Sequence, residues 1–311
     1  MAVYFSFKGK PGSKIAVEDR SLYAPVEPHM HKHVEIALVI MGSCVHRFQS
    51  TELVIIPGDV CVIPPHTIHS YDINNHLKIL NLQFFPYDID VEWSPVFDSI
   101  APKPAPEATG ACNTENESAR FTLKKDDHRI FAQKNMSCQG IIHLDPLQKE
   151  QIERAFFDLR NEQDNHTEYC HRPMMESLFI ALLYRLKRAK LKQSNNVNLD
   201  WQDQRAKIST TLQYIEEHLS ESISCKDLAV QAHLSENYFR TVFKQVTGLS
   251  PIEYLHRLRI AKSLPYLQDN HASIGEIAEK VGFYDQNYFT RVFKKVMGYP
   301  PIHYKKIGVS C

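Results

Sequence analysis

The chain has 311 residues, 43% of them hydrophobic, with 36 Lys plus Arg against 36 Asp plus Glu; that is enough for two or three globular domains, and any basic surface must be local rather than global. Seven cysteines, an odd number with no CxxC pair, fit a reducing compartment better than a disulfide framework. The N-terminus "MAVYFSFKGK" lacks a basic segment followed by a long apolar run, and "MMESLFIALLYRL", holding Glu176 and Arg185, is too short to cross a bilayer; a soluble, cytoplasmic protein with no membrane partner is expected.

From about Ile15 to Phe85, short apolar runs such as "EIALVIM", "ELVIIP", "VCVIP" and "LKILNLQFF" are separated by Gly, Pro, Asn and charged turns. This spacing predicts a small β-barrel or sandwich. In "HMHKHVEIALVIMG", His29, His31 and Glu35 stand at odd positions, so a single regular strand would point all three to one side. The stretch "GDVCVIPPHTIH" adds Gly58, Pro64 and His69, and His33 is expected at the surface.

These two stretches resemble the paired motifs of cupins, small β-barrels with a central cavity. The first matches closely: His, one residue, His, three residues, Glu, six residues, Gly42. The second departs, with His66 where a glycine is usual and the asparagine beyond the last histidine displaced. The resemblance implies that His29, His31, Glu35 and His69 line the cavity. In metal-binding cupins these positions hold a divalent transition metal such as Mn, Fe, Ni, Cu or Zn.

Residues 99–119, rich in Pro, Ala, Asn and Glu, read as a flexible loop. Two helices are predicted beyond it, with apolar faces of Ile152, Ala155, Phe156 and Leu159, and of Met175, Leu178, Phe179, Leu182, Leu183 and Leu186. The polar stretch "LKQSNNVNLDWQDQ" suits an interdomain linker.

The last third contains a repeat. "ENYFRTVFKQVTG", residues 236–248, and "QNYFTRVFKKVMG", residues 286–298, agree at eight of thirteen positions. Tyr238, Phe239, Val242, Phe243 and Val246, and their counterparts Tyr288, Phe289, Val292, Phe293 and Val296, form one helical stripe for packing. Gly248 and Gly298 end each helix, with Pro251 and Pro301 just beyond. Upstream, Ser224 with Asp227 and Ser273 with Glu276 predict capped short helices, and Ser235 can cap the longer one. Each half is thus a helix-turn-helix.

With the stripes turned inward, the first copy presents Glu236, Asn237, Arg240, Thr241 and Lys244. The second presents Gln286, Asn287, Thr290, Arg291, Lys294 and Lys295. Arg can fork onto guanine, Asn and Gln onto adenine, and Thr can touch a thymine methyl. Between the units "SPIEYLHRLRIAKSLPYLQD" predicts a helix spanning about 28 Å at ~1.5 Å per residue, close to the roughly 34 Å between successive major grooves on one DNA face.

Residues of roughly 205–307 resemble the DNA-binding domain of AraC/XylS-type transcription regulators, "GFYDQNYFTRVFKKVMGYPPIHYK" following that family's signature almost position by position. The resemblance implies base contacts from Asn237, Arg240, Thr241, Gln286, Asn287, Thr290 and Arg291, while Lys244, Lys294 and Lys295 suit phosphates. Pro265 departs from the family pattern and puts a bend in the connecting helix in question. The resemblance also implies a cupin-like sensor for a sugar or other small effector, and a homodimer built through the helices before the linker. Double-stranded promoter DNA is the implied partner, and RNA polymerase a further one if the protein activates.

The expected architecture is α+β with two domains. A cupin-like effector-binding β-barrel occupies 1–98, a loop 99–119, a helical extension with a dimerisation role 120–191, a linker 192–204 and a double helix-turn-helix domain 205–311. The expected function is a ligand-responsive transcription regulator rather than an enzyme. The alternative is a metal-dependent cupin oxygenase or isomerase with an accessory helical domain.

Overall fold

The computed structural model describes residues 3–9, 13–48, 51–85, 100, 141–167, 169–195, 199–269 and 272–307. The expected loop at 99–119 lies outside these residues, apart from Ile100. Among the described residues, no helix is long and apolar enough to cross a membrane.

The N-terminal domain is two five-stranded sheets, not a closed ring. One sheet sets β1 (Val3–Phe5), β3 (Val26–His31), β8 (His69–Asp72), β5 (Cys44–Phe48) and β6 (Thr51–Ile55) side by side in that order. In the other the order is β10 (Ile141–His143), β7 (Asp59–Ile63), β4 (Val34–Met41), β9 (Leu77–Phe84) and β2 (Ile15–Leu22). Strand β10 comes from the segment expected to be purely helical; it pairs antiparallel with β7, Ile142 opposite Val60.

Period-two alternation sorts the second sheet into two faces. Val34, Ile36 and Leu38 of β4 join Leu80, Leu82 and Phe84 in a core closed by Phe156 and Phe179. These two aromatics come from helices α1 (Pro146–Asp164) and α2 (His171–Asn195), which bury the faces predicted for them. Ala37 and Val39 belong to a second cluster with Tyr71, Ile73 and Ile79 between the sheets. Glu35 shares the parity of that inner face.

The C-terminal domain opens with α3 (Leu199–Glu217), which starts inside the stretch expected as linker. The first unit is α4 (Cys225–Gln231) and α5 (Glu236–Thr247), and the second is α7 (Ile274–Lys280) and α8 (Gln286–Met297). Between them runs α6 (Pro251–Asp269), 19 residues long and helical through Pro265; α9 (Pro301–Ile307) follows. Capping boxes form at Ser224–Asp227 and Ser273–Glu276, and Gly248 and Gly298 stop their helices at φ 82°. Ser235 makes no side-chain cap bond.

The helix stripes are narrower than the sequence suggests. Phe239, Val242, Phe243 and Val246 are buried, as are Phe289 and Phe293, but Tyr238 is 44% and Tyr288 39% exposed. A residue preceding the buried set is turned about 100° away on a helix, so each tyrosine lies at the stripe's edge with its ring half in solvent. Val296 is exposed as well.

The two domains share a contact. Ile56, between β6 and β7, packs in the core of the first unit with Leu212, Leu228, Phe239 and Phe243. Buried Asp59 accepts from the Ile56 amide (2.9 Å) and His143 Nδ1 (2.6 Å) within the N-terminal domain, and from Arg205 Nη2 (2.5 Å) on α3. Gly42 donates its N–H to the Tyr254 hydroxyl of α6 at 3.1 Å. Gly42 has φ 84°, and a Cβ there would strike the His76 carbonyl, so only glycine serves.

Glu216 completes the joint, accepting from Asn75 Nδ2 at 3.0 Å and from the Ser43 amide at 3.4 Å. Burial pushes its pKa up to about 7, against the opposing pull of the Asn75 and Ser43 bonds and of Lys262. The folded chain then holds a proton that the unfolded chain releases near the ordinary carboxylate value. The contribution of Glu216 to stability should therefore fall as pH rises from about 4.5 to about 7, by at most about 1.4 kcal/mol per unit. Urea titrations of wild type and Glu216→Gln at pH 5 and 8 check this: the difference in stability between the two should move in the variant's favour as pH rises, and a difference independent of pH would contradict the assignment.

Candidate functional site

Three strands bring histidines into the space between the sheets. His29 and His69 are register partners on β3 and β8, their rings 4.1 Å apart, and His31 lies 5.1 Å from His69. The expected single strand from His29 to Glu35 is not formed. The chain leaves β3 after His31 and re-enters the opposite sheet at Val34, so Glu35 approaches the histidines from across the sandwich. Its carboxylate lies 3.7 Å from His31 Nε2 and 4.0 Å from His69 Nε2, and accepts from the Tyr71 hydroxyl at 3.3 Å. All four sequence-predicted residues are at most 2% exposed.

The break between strands also overturns the surface position expected for His33. It is buried, stacked on His31 with centroids 4.3 Å apart. The turn removes the strand geometry, and Phe7 and Phe85 cover the ring. His66, where cupins usually carry glycine, has φ 60°, in the region where glycine is least strained.

His29, His31 and His69 each bond a backbone carbonyl through Nδ1, at Glu27 (2.9 Å), His33 (2.7 Å) and Thr67 (3.2 Å). A carbonyl only accepts, so each Nδ1 carries the hydrogen and each neutral ring keeps its lone pair on Nε2. Burial lowers the pKa of all three, in His31 against the attraction of Glu35, so the rings are neutral near pH 7. The Nε2 atoms of His31 and His69 are buried with no hydrogen-bond partner.

Ligand atoms of His31, Glu35 and His69 lie within 4.8 Å of one another, a spacing that suits a transition metal with positions left open. His29 is not part of that close set; its ring stacks on Phe5 at 4.1 Å. Sequence reasoning passed over His46 of β5, which is 2% exposed and stacked on Tyr71 at 4.7 Å. Its only signal was strand alternation with Phe48. Asn81 and Gln83 of β9, opposite Ala37 and Glu35 in register, add amides to the same inner face. A cleft of about 590 Å³ lies elsewhere, between His76 and Lys149 of the N-terminal half and Arg257 and Ile260 of α6.

On the C-terminal units, Asn237, Arg240, Thr241 and Lys244 are exposed along α5, as are Gln286, Asn287, Arg291, Lys294 and Lys295 along α8. Thr290 is half-buried and donates its hydroxyl to the Gln286 carbonyl at 2.9 Å. Asp285 caps α8 by accepting from the Asn287 and Tyr288 amides. The Arg291 guanidinium rests 5.4 Å above the Tyr288 ring, and Arg240 donates to Glu236 at 2.6 Å. Both arginines therefore start from defined positions.

The sequence profile of the AraC-like ligand binding domain matches residues 17–94, and that of a helix-turn-helix domain matches residues 228–307. The chain belongs to the AraC family of transcription regulators. The HTH-type transcriptional activator RhaS of Escherichia coli is 24% identical to this AraC-family protein over 273 residues, 88% of this chain and 85% of RhaS. Among solved structures, the C-terminal domain of AraT, a response regulator from Geobacillus stearothermophilus, is 33% identical over 32% of this chain and 84% of that one, with a TM-score of 0.31. An AraC-type DNA-binding regulator from Chromobacterium violaceum is 23% identical over 34% of this chain and 95% of that one, with a TM-score of 0.32. The AraC-family protein is thus a DNA-binding regulator with an N-terminal ligand-binding domain.

Proposed function

We propose that this regulator senses a small hydroxyl-rich molecule of the carbohydrate class between its N-terminal sheets and activates promoters in the cytoplasm, with RNA polymerase as partner. The observation that carries the reading is the repeated unit itself: two helices of matched length, each with a buried aromatic backing and an outward row of polar and basic side chains of the types that pair with base edges. For the effector, support comes from the polar inner face, where both amide atoms of Asn81 and the Nε2 atoms of His31, His46 and His69 are buried without partners. Unspent donors and acceptors of this kind suit hydroxyl groups.

An effector can shift DNA binding only by its differential affinity for two arrangements of the domains. Strand β4 offers a path, carrying Glu35 near one end and leading at the other into Gly42, which bonds Tyr254 on the helix that spaces the two units. A homodimer is supported by α2, where Met174, Ala181, Tyr184, Arg188 and Leu191 form an exposed stripe at heptad-like spacing. Sedimentation showing only monomers would remove that element.

Arg291→Ala is expected to cost about 1–3 kcal/mol on the preferred site and to relax preference at one base pair. Lys294→Ala should weaken all sequences alike and flatten the salt dependence. Fluorescence anisotropy on specific and random DNA checks both, and equal losses from Arg291→Ala on the two DNAs would refute its reading role.

A second reading rests on the free Nε2 atoms: His31, Glu35 and His69 hold a divalent transition metal whose open positions orient effector oxygens. Zn²⁺ or Ni²⁺ should then bind one per chain by calorimetry and raise the melting temperature, an effect lost in His69→Ala. No stoichiometric uptake would end this reading, and metal-dependent turnover would favour a cupin enzyme instead.

A further inference from the structure

The two reading helices differ where they begin. Helix α8 starts with Gln286 and carries Thr290 then Arg291, whereas α5 starts with Glu236 and carries Arg240 then Thr241. The exchange of order turns the arginine by about 100° around the helix axis. It also places Arg240 one turn from residue 236, where Glu236 Oε1 accepts from Arg240 Nη2 at 2.6 Å.

The pair is no structural strut. The two side chains are 49% and 43% exposed, and ion pairs in water contribute little to stability. Ser235 does the backbone work of the N-cap position without a side-chain bond, and Glu236 is turned to Arg240 instead. A carboxylate on the leading turn of a DNA-facing helix also opposes attraction to phosphates. What it can add is discrimination, because a carboxylate accepts from the cytosine N4 amino group and is repelled by the acceptor edges of guanine and thymine.

We propose that Glu236 is a specificity-determining residue of the first unit: while Arg240 forks onto a guanine, the Glu236 carboxylate selects cytosine on the adjoining base pair. The guanidinium has five donors in a planar fork, so holding Nη2 leaves further N–H groups for guanine O6 and N7. This rests on α5 reading bases in the major groove.

Selection of sites from randomised DNA by the full-length protein tests it, with Glu236→Gln, Glu236→Ala and Arg240→Ala compared in parallel. Wild type should prefer cytosine next to the guanine lost from the Arg240→Ala consensus. Glu236→Gln should cut the preference for cytosine about tenfold, admit adenine, and bind random DNA more tightly. Unchanged base preference in both Glu236 variants would overturn the proposal, as would a uniform loss on all sequences with a lower melting temperature. An Arg240→Ala consensus identical to wild type would instead refute base reading by α5.

Discussion

Replacing Asp59 with alanine is expected to lower the stability of the protein by about 3–5 kcal/mol, the range for removing one partner of a buried ion pair. Asp59 is 0% exposed and holds three donors at once: the Ile56 amide, His143 Nδ1 and Arg205 Nη2. Burial alone would raise its pKa, but Arg205 and His143 outweigh burial and hold the carboxyl below its ordinary value. Its stabilising effect is therefore present above the usual carboxylate range and is lost as pH falls through the depressed value. Denaturant unfolding at pH 7 measures the loss, and limited proteolysis should show the first helix-turn-helix unit released from the sensor. A loss below 1 kcal/mol with an unchanged proteolysis pattern would mean that Asp59 does not tie the two domains together.

The second large effect is expected at Phe289. Its ring is fully buried between Phe283, with centroids 5.3 Å apart, and Phe293 at 5.6 Å. Truncation to alanine should cost about 3–5 kcal/mol through lost transfer energy and the cavity left behind. The core of the second unit, with Ile260, Leu267, Ile277 and Val281, is separate from the sensor's clusters. The damage should stay local: the sensor keeps its melting transition while DNA affinity falls to what one unit supplies. Two transitions by calorimetry would match this, whereas a single cooperative loss of the whole chain would show that the second unit is not an independent packing body.

The C-terminal half was the more legible part of the sequence because its determinants are local. Ser224, Ser273, Gly248 and Gly298 act on backbone within a few residues, and the phenylalanines recur at helical spacing. The tyrosines were misplaced because adjacent positions on a helix differ by about 100°, and a stripe's width is set by what packs against it. In the N-terminal half, strand content and the approach of His29, His31, Glu35 and His69 were legible, but the route was not. Glu35 reaches the histidines through a change of sheet at residues 32–33, which alternation along a single strand does not encode.

His46 escaped notice because it meets the other histidines only through the pairing of β5 with β8. The joint of Asp59, Glu216 and Tyr254 with partners 141 to 212 residues away in the chain left no mark in any short stretch. The same contacts explain why the expected linker is mostly helix: α3 begins at Leu199 and carries Arg205, and both Arg205 and Glu216 bind the sensor.

The structure of the full-length protein on its selected promoter site tests the central claim most directly. The account predicts α5 and α8 of one chain in successive major grooves on the same face of the duplex, with Arg240 and Arg291 at base edges. It would be contradicted by a complex in which either helix stands away from the bases while its polar row is engaged by the protein's own sensor domain.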